Sequence, residues 1–322
     1  MYKRQVVLQF IKEFNKDILI DWIVEETYKE LLEYHPEIHQ LHLTKLRKAK
    51  KKKSFLMLLT ELNKVRKLGP YDIIIDMQGL VKSALIAKLI PGKKVIGFDK
   101  ESSREGFASL FYSDKFNCAY TKNVIERNIA LVEFSLGFSV DYKQIQNKAP
   151  FLFPKKNQLR LRASNIKKNV ILIPGASHFS KSYPPLKLAK LATLIDADFF
   201  IIWGNQKEKA MANEIKNLAN NVNICNKLEL DSLIWLISKV DLVIGPDTGP
   251  THIAWAINIP SITLFGPTPG YRNTFETIIN RIIESNSTVD PYNIDKKDNS
   301  IKNIEVQKIL KMSKELLEIN KK

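Results

Sequence analysis

Cysteine is scarce in this chain. Cys118 and Cys225 are the only two in 322 residues, and they lie too far apart for a CxxC or metal-ligand spacing. No disulfide framework and no metal pattern follows, and a reducing compartment is expected. Long apolar runs are also missing, since nothing approaches the roughly 18 residues of a membrane span. Val6-Val7-Leu8-Gln9-Phe10-Ile11 is too short and wrongly flanked for a signal peptide, so the cytoplasmic side is expected. Acidic residues are the third shortage: 34 Asp and Glu face 50 Lys and Arg, a formal charge of +16. That excess implies an anionic partner, whether nucleic acid, a phosphorylated small molecule or a membrane surface. Nucleic acid is not expected, because no helix-turn-helix, RNP or zinc pattern is present and the lysines are not interleaved with stacking aromatics. No short-period repeat is found, and Lys50-Lys51-Lys52-Lys53 stands alone as a low-complexity run.

What is there reads as an α/β protein. At 322 residues the chain exceeds what one hydrophobic core usually supports, so two domains are expected. Apolar runs rich in Ile and Val predict strands at Ile18–Val24, Asp72–Asp76, Lys94–Gly97, Asn169–Ile173, Asp198–Trp203, Val222–Cys225, Asp241–Ile244 and Ser261–Leu264. Helix-period segments lie among them at Val6–Phe14, Phe55–Lys67, Leu80–Leu89, Val124–Leu136, Lys207–Ala219 and Ser232–Ser238. Such alternation predicts parallel sheets wrapped by helices, and unbroken runs such as Ile73-Ile74-Ile75 suit sheets covered on both faces. The seam is expected within Gln146–Lys168, dividing the chain into domains 1–154 and 155–322. Beyond Asn303, Ile304, Ile309, Leu310, Leu316 and Leu317 recur at helical spacing and should pack an apolar face.

Four strand ends in the second half carry small or polar residues, and ligands bind at the carboxyl ends of strands in such sheets. The sharpest is Gly245-Pro246-Asp247-Thr248-Gly249-Pro250-Thr251-His252, where a strand turns into a helix. The first amides of that helix have no internal partners and its dipole is positive there, so an anion is favoured. Asp247 or Thr248 acting only as a helix cap explains the spacing equally well. The others are Pro174-Gly175-Ala176-Ser177-His178-Phe179-Ser180-Lys181, Trp203-Gly204-Asn205-Gln206-Lys207-Glu208, and Leu264-Phe265-Gly266-Pro267-Thr268.

Together these residues resemble the donor site of glycosyltransferase family 9. In the first half, Tyr71-Asp72 through Asp76-Met77-Gln78-Gly79-Leu80-Val81-Lys82-Ser83, Ser103-Arg104-Glu105-Gly106-Phe107 through Tyr112, and Ile20-Asp21-Trp22 through Glu26 are similar to the lipopolysaccharide heptosyltransferase I branch. The resemblance implies a GT-B fold of two Rossmann-like domains, with acceptor bound by the N-terminal one and donor by the C-terminal one. It implies inverting transfer of heptose from ADP-heptose to the Kdo of Kdo-lipid A, with no metal and no cofactor. By motif, Ser177 and Lys181 would hold the pyrophosphate, Lys181 countering charge on the leaving group, and Thr248 and Gly249 would add amides. Glu208 would bond the ribose, Leu228 line the adenine pocket, Asp247 bind heptose hydroxyls, and His252 sit beside the phosphates. Arg104, Arg47 and Lys48 would face the acceptor's negative charges. The Arg47–Lys53 run is equally a solvated loop, or a contact with anionic inner-membrane lipids.

The family's first strand and its Gly-Asp turn, whose Asp is the expected base, have no counterpart here. No Gly-Asp pair precedes Ile18, so no catalytic base is assigned, and an incomplete reading of a longer protein is expected. Heptosyltransferase II, an inactive donor-binding fragment and a basic nucleic-acid binder are the alternatives.

Overall fold

The computed structural model describes residues 3–155 and 166–319. Most of the basic stretch in the expected seam, residues 156–165, lies outside the described residues. The chain forms two compact units, Lys3–Lys148 and one beginning at Ala149. That division falls a few residues before the expected 154/155 boundary. Phe151 explains why: its N–H donates to the Ala256 carbonyl (3.0 Å) and its ring meets Trp255 edge-on, so this stretch packs with the second unit.

The first unit contains α1 (Val7–Phe14), β1 (Asp21–Glu25), β2 (Gln40–Thr44), α2 (Leu46–Lys51), α3 (Phe55–Val65), β3 (Tyr71–Asp76), α4 (Val81–Leu89), β4 (Gly92–Phe98), β5 (Asp114–Phe116), α5 (Val124–Leu136) and α6 (Tyr142–Gln146). Strands β1 and β2 pair in parallel, Asp21 opposite Gln40, and β3, β4 and β5 form a second parallel sheet. Alternation along β4 sends Val95 toward Ala84 and Ala87 of α4 on one face and Ile96 toward Leu131 of α5 on the other. The first strand starts at Asp21, not at Ile18 as the apolar run suggested.

The second unit contains β6 (Lys168–Leu172), α7 (Pro185–Thr193), β7 (Ala197–Ile201), α8 (Gln206–Leu218), β8 (Val222–Ile224), α9 (Leu230–Ile237), β9 (Leu242–Pro246), α10 (Gly249–Ala256), β10 (Ser261–Phe265), α11 (Gly270–Asn273), β11 (Asn280–Glu284) and α12 (Val306–Ile319). Its six strands are all parallel in the order β8-β7-β6-β9-β10-β11. The chain therefore winds outward one way from β6 and the other way from β9. Val170, Ile171, Leu172, Leu242, Val243 and Ile244 are fully buried, because helices cover both faces of these central strands. Helix α12 buries Ile309, Leu310, Leu316 and Leu317 as its periodicity predicts. The turn before it is clasped by Tyr183, whose hydroxyl donates to the Ile304 carbonyl (2.7 Å).

Strands β2, β5 and β11 went unread in the sequence, and each lies at a sheet edge. Edge strands are half exposed and take polar residues, as in Gln-Leu-His-Leu-Thr and Asn-Arg-Ile-Ile-Glu, so the apolar run that marks a central strand is absent.

His35 is buried in the segment that connects β1 to β2, where its Nδ1 accepts the Glu37 N–H (3.2 Å). Burial pushes this imidazole down to about 4, from about 6.5 in an unfolded chain. A depressed histidine stabilises the fold above its unfolded value and loses that contribution as pH falls toward its folded value. Unfolding free energy should therefore decline from pH 6.5 to pH 4, His35 contributing up to about 3 kcal/mol. Denaturant titrations across that range should show a shallower slope for His35→Leu than for the native chain.

Candidate active site

The carboxyl ends of β6 and β9 lie side by side where the winding reverses, the position at which doubly wound sheets open a crevice. Two loops border it. One follows β6 from Ile173 to Ser182 and includes a short 3₁₀ turn, Phe179–Lys181. The other is Asp247-Thr248, between β9 and α10.

Thr248 is extended (φ −140°) and caps α10, with Pro250 in the first turn, where its missing N–H costs nothing. The Thr248 N–H reaches the Thr251 hydroxyl (3.3 Å), and that hydroxyl turns back on the Thr248 and Pro246 carbonyls (2.9 and 3.0 Å). The Thr251 hydroxyl thus bonds the backbone of Thr248 at the start of α10, and the Asp247 side chain is turned to other partners. Its buried carboxylate instead gathers four donors. Lys181 Nζ lies 2.7 Å from Oδ2, which also accepts from Thr268 Oγ1 (3.2 Å) and Asn273 Nδ2 (3.4 Å). His252 Nε2 lies 2.8 Å from Oδ1. Residues 66 positions apart, on loops after different strands, form a largely buried ion pair.

The expected donor residues stand on the segments that follow β6, β7, β8 and β9. Ser177 is exposed in the β6 loop, and Gly249 opens α10. The Thr248 hydroxyl is buried without a hydrogen-bond partner. Glu208, in the first turn of α8, accepts from the Gly204 N–H (2.6 Å) and the Asn205 amide (2.8 Å). Gly175 is required beside it, since a Cβ there would fall 2.3 Å from Glu208 Cγ. The ends of β6 and β7 are therefore joined through Glu208. Leu228 is half-buried in the segment after β8. His252 is aimed at Asp247 and is a second buried partner of the carboxylate. Thr268 and Asn273 were missed as site residues; the Gly266-Pro267-Thr268 turn was read as a motif, but the target of its hydroxyl was not legible.

In the first unit the carboxyl ends of β1 and β3 carry a second polar cluster. Asp76 is buried and accepts from the Gln78 N–H (2.8 Å), Ser83 Oγ (2.7 Å) and Tyr112 OH (2.7 Å). Gly79 follows with φ +63°, a backbone that glycine adopts without strain, and its carbonyl takes the Glu105 N–H (3.1 Å). Arg47 donates its N–H to the Glu25 carboxylate (3.1 Å), and its guanidinium donates to and lies over Tyr28. Lys82 donates to the same Glu25 (3.0 Å), while the Val81 N–H reaches Glu105 (2.8 Å). Exposed Arg104 and Arg47 thus border the start of α4 from two sides, with Lys82, which sequence reasoning did not single out, between them. Lys48 is exposed on α2. Among the described residues, no three His, Cys, Asp or Glu side chains are grouped to share a metal ion.

Comparison with known proteins bears on this arrangement. The profile of glycosyltransferase family 9 (heptosyltransferase) matches residues 61–302. Lipopolysaccharide heptosyltransferase 1 of Campylobacter coli is 40% identical, over 97% of this chain and 94% of its own length. The Salmonella typhimurium protein of the same name is 28% identical, over 79% of this chain and 80% of its own. Among solved structures, E. coli heptosyltransferase WaaC with ADP superposes with a TM-score of 0.79 at 21% identity, covering 98% of this chain and 95% of that one. E. coli ADP-heptose lps heptosyltransferase II gives 0.69 at 18% identity, covering 100% of this chain and 96% of that one. The fold is GT-B, as its sequence resemblance implied.

The unequal sharing around Asp247 has a measurable consequence. Asp247→Ala strands the buried Lys181 ammonium and should cost about 3–5 kcal/mol. Lys181→Met leaves the carboxylate with His252, Thr268 and Asn273 and should cost about 1–2 kcal/mol. Equal losses for the two variants in chemical denaturation would contradict this asymmetry.

Proposed function

The chain belongs to glycosyltransferase family 9, and from that premise we propose that it transfers L-glycero-D-manno-heptose from ADP-heptose to the Kdo residue of Kdo-lipid A in the lipopolysaccharide inner core. The observation that carries this reading is the Lys181–Asp247 pair at the crossover of the second sheet. A nucleotide-sugar donor loses a diphosphate, and the leaving group's growing negative charge is the main demand on the protein. An ammonium has three donors, and Lys181 shows one of them to Asp247, leaving two for phosphate oxygens. Held in a largely buried position, that charge acts through a low dielectric and needs no rearrangement as the bond breaks. The amides opening α10, Gly249 foremost, and the hydroxyls of Ser177 and Thr248 complete the diphosphate cradle.

Asp247 has a second task on this reading. Its Oδ2 is crowded by Lys181, Thr268 and Asn273, whereas Oδ1 takes only His252 among these four. On this reading the Asp247 carboxylate also accepts a heptose hydroxyl. Glu208 accepts from the ribose hydroxyls on this reading, and Leu228, after β8, lines the adenine pocket. In the transfer, the acceptor hydroxyl oxygen bonds to the anomeric carbon from the side opposite the diphosphate and gives up its proton to water, the bond from the anomeric carbon to the phosphate oxygen breaks, and ADP departs with that bonding pair. On this reading Arg47, Lys48 and Arg104, all exposed, meet the carboxylates and phosphates of the acceptor. No helix among the described residues is long and apolar enough to cross a membrane, so a lipid-borne acceptor would be met by peripheral contact with anionic lipids on the cytoplasmic face, through the Arg47–Lys53 run.

Calorimetry should detect ADP binding that Lys181→Met weakens at least about tenfold. Transfer from ADP-heptose to Kdo-lipid A should fall about 100-fold in Lys181→Met and in Asp247→Asn, with folding retained. Native-like rates in both variants, or tight binding of a DNA oligomer with none of ADP, would refute the assignment.

A further inference from the structure

The turn after β10, from Gly266 to Thr274, is held at both of its glycines. At Gly266 the chain runs against buried Ile301, so that a Cβ there would fall 2.6 Å from the Ile301 Cβ and 3.0 Å from its backbone nitrogen. At Gly270 the N–H donates to the carboxylate of Glu284, the last residue of β11 (2.7 Å), and a Cβ would fall 2.6 Å from that oxygen. Residues Gly266 to Gly270 are all buried, and the Asn273 and Thr274 amides donate to the Pro269 and Gly270 carbonyls (both 3.0 Å). Thr268 and Asn273 are therefore presented from a backbone fixed by its neighbours.

Both side chains reach Asp247 Oδ2, the oxygen that also holds the Lys181 ammonium (Thr268 Oγ1 3.2 Å, Asn273 Nδ2 3.4 Å, Lys181 Nζ 2.7 Å). A carboxylate oxygen facing an ammonium alone, in a largely buried site, would draw it in with its whole charge. Donors that carry no charge take up part of that oxygen's accepting capacity and leave the ammonium less tightly held. The balance matters to a cation with two duties. Lys181 must stay at the crevice, and it must also turn its charge toward a leaving diphosphate as the bond to it breaks. A lysine gripped too strongly by its partner serves the first duty at the expense of the second.

We propose that Thr268 and Asn273 are positioning residues for heptose transfer: by sharing Asp247 Oδ2 with Lys181, they loosen the carboxylate's grip and leave the ammonium to the departing diphosphate. The inference rests on the reading of Lys181 as the cation that meets the leaving group. It adds that a turn legible in sequence only as Gly266-Pro267-Thr268 sets how much of that cation's charge the donor receives. Both residues act through Asp247 and Lys181. Their effect is largest where the phosphate carries most charge, in the transition state and in bound ADP, and smallest for intact ADP-heptose, whose terminal phosphate is esterified.

Calorimetry and transfer kinetics on Thr268→Val test the proposal. The substitution should weaken ADP binding about fivefold, while ADP-heptose, measured without acceptor, binds within about twofold of native. For transfer to Kdo-lipid A, kcat should fall about tenfold with KM for ADP-heptose nearly unchanged, since the interaction lost belongs to the transition state. Thr268→Ser keeps the hydroxyl and should restore native values. Asn273→Ala removes the longer contact and should shift the same measures in the same direction by less; it carries the comparison if Thr268→Val does not fold. In a Lys181→Met background, Thr268→Val should change the preference for ADP-heptose over ADP no further, because the group it acts through is gone. Equal losses for the two ligands, undiminished kcat in Thr268→Val, or a full further loss in the Lys181→Met background overturns the proposal. The expected ligand shifts with no transfer by any chain would sustain the positioning role and sink the transferase reading alone. Failure of the native chain to bind ADP would sink both.

Discussion

At the crossover of the second sheet, one buried carboxylate must satisfy an ammonium, an imidazole, a hydroxyl and an amide, and the rest of the site is arranged around that requirement. Asp247 meets Lys181 from the β6 loop, His252 from α10, Thr268 from the turn after β10 and Asn273 from α11. Three strand ends and two helices are pinned to one group. The cost of burying charge explains this density of partners, since an ion taken out of water must be paired and its remaining hydrogen-bonding capacity filled. The same cost keeps the ammonium in place: a lysine on a flexible stem is fixed at the crevice by a partner it cannot leave cheaply.

The neighbouring contacts extend this fixity. Glu208 spans the ends of β6 and β7, and the absence of a side chain at Gly175 is what admits it. In the first unit Asp76 plays a comparable part, organising the turn through Gln78, Ser83 and Tyr112. Burial and the nearby carboxylate hold the Tyr112 phenol well above its ordinary range, so it remains a proton donor to Asp76. Several residues that make the first-unit motif recognisable in sequence are thus scaffold. They shape the edge on which Arg47, Lys82 and Arg104 stand.

Different physical signals were legible to different degrees. Central strands could be read because both faces are covered and nearly every residue is apolar. Edge strands β2, β5 and β11 could not, because solvent on one side permits polar residues. The α12 helix was readable from its 3.6-residue period. The outward turn of Phe55, Leu56, Leu58 and Leu59 on α3 was not, because periodicity reports that a helix has an apolar face and is silent on which way that face points. Asp247, Thr248 and His252 stood out as a strand-to-helix turn, yet spacing left cap and ligand roles equally open; the Thr251 hydroxyl bonds the Thr248 backbone, and the Asp247 side chain is turned to other partners.

By itself the sequence determined the α/β alternation, the two-unit organisation, the basic character and the four strand ends with small or polar residues, because each of these is a local pattern of side-chain type along the backbone. Tertiary structure alone decided that Lys181 and Asp247 form one pair, that Thr268 and Asn273 join them, and that the apolar side of α3 faces solvent. Those facts depend on strand order and on burial, which bring together groups tens of residues apart, and no spacing along the chain encodes the distance between them.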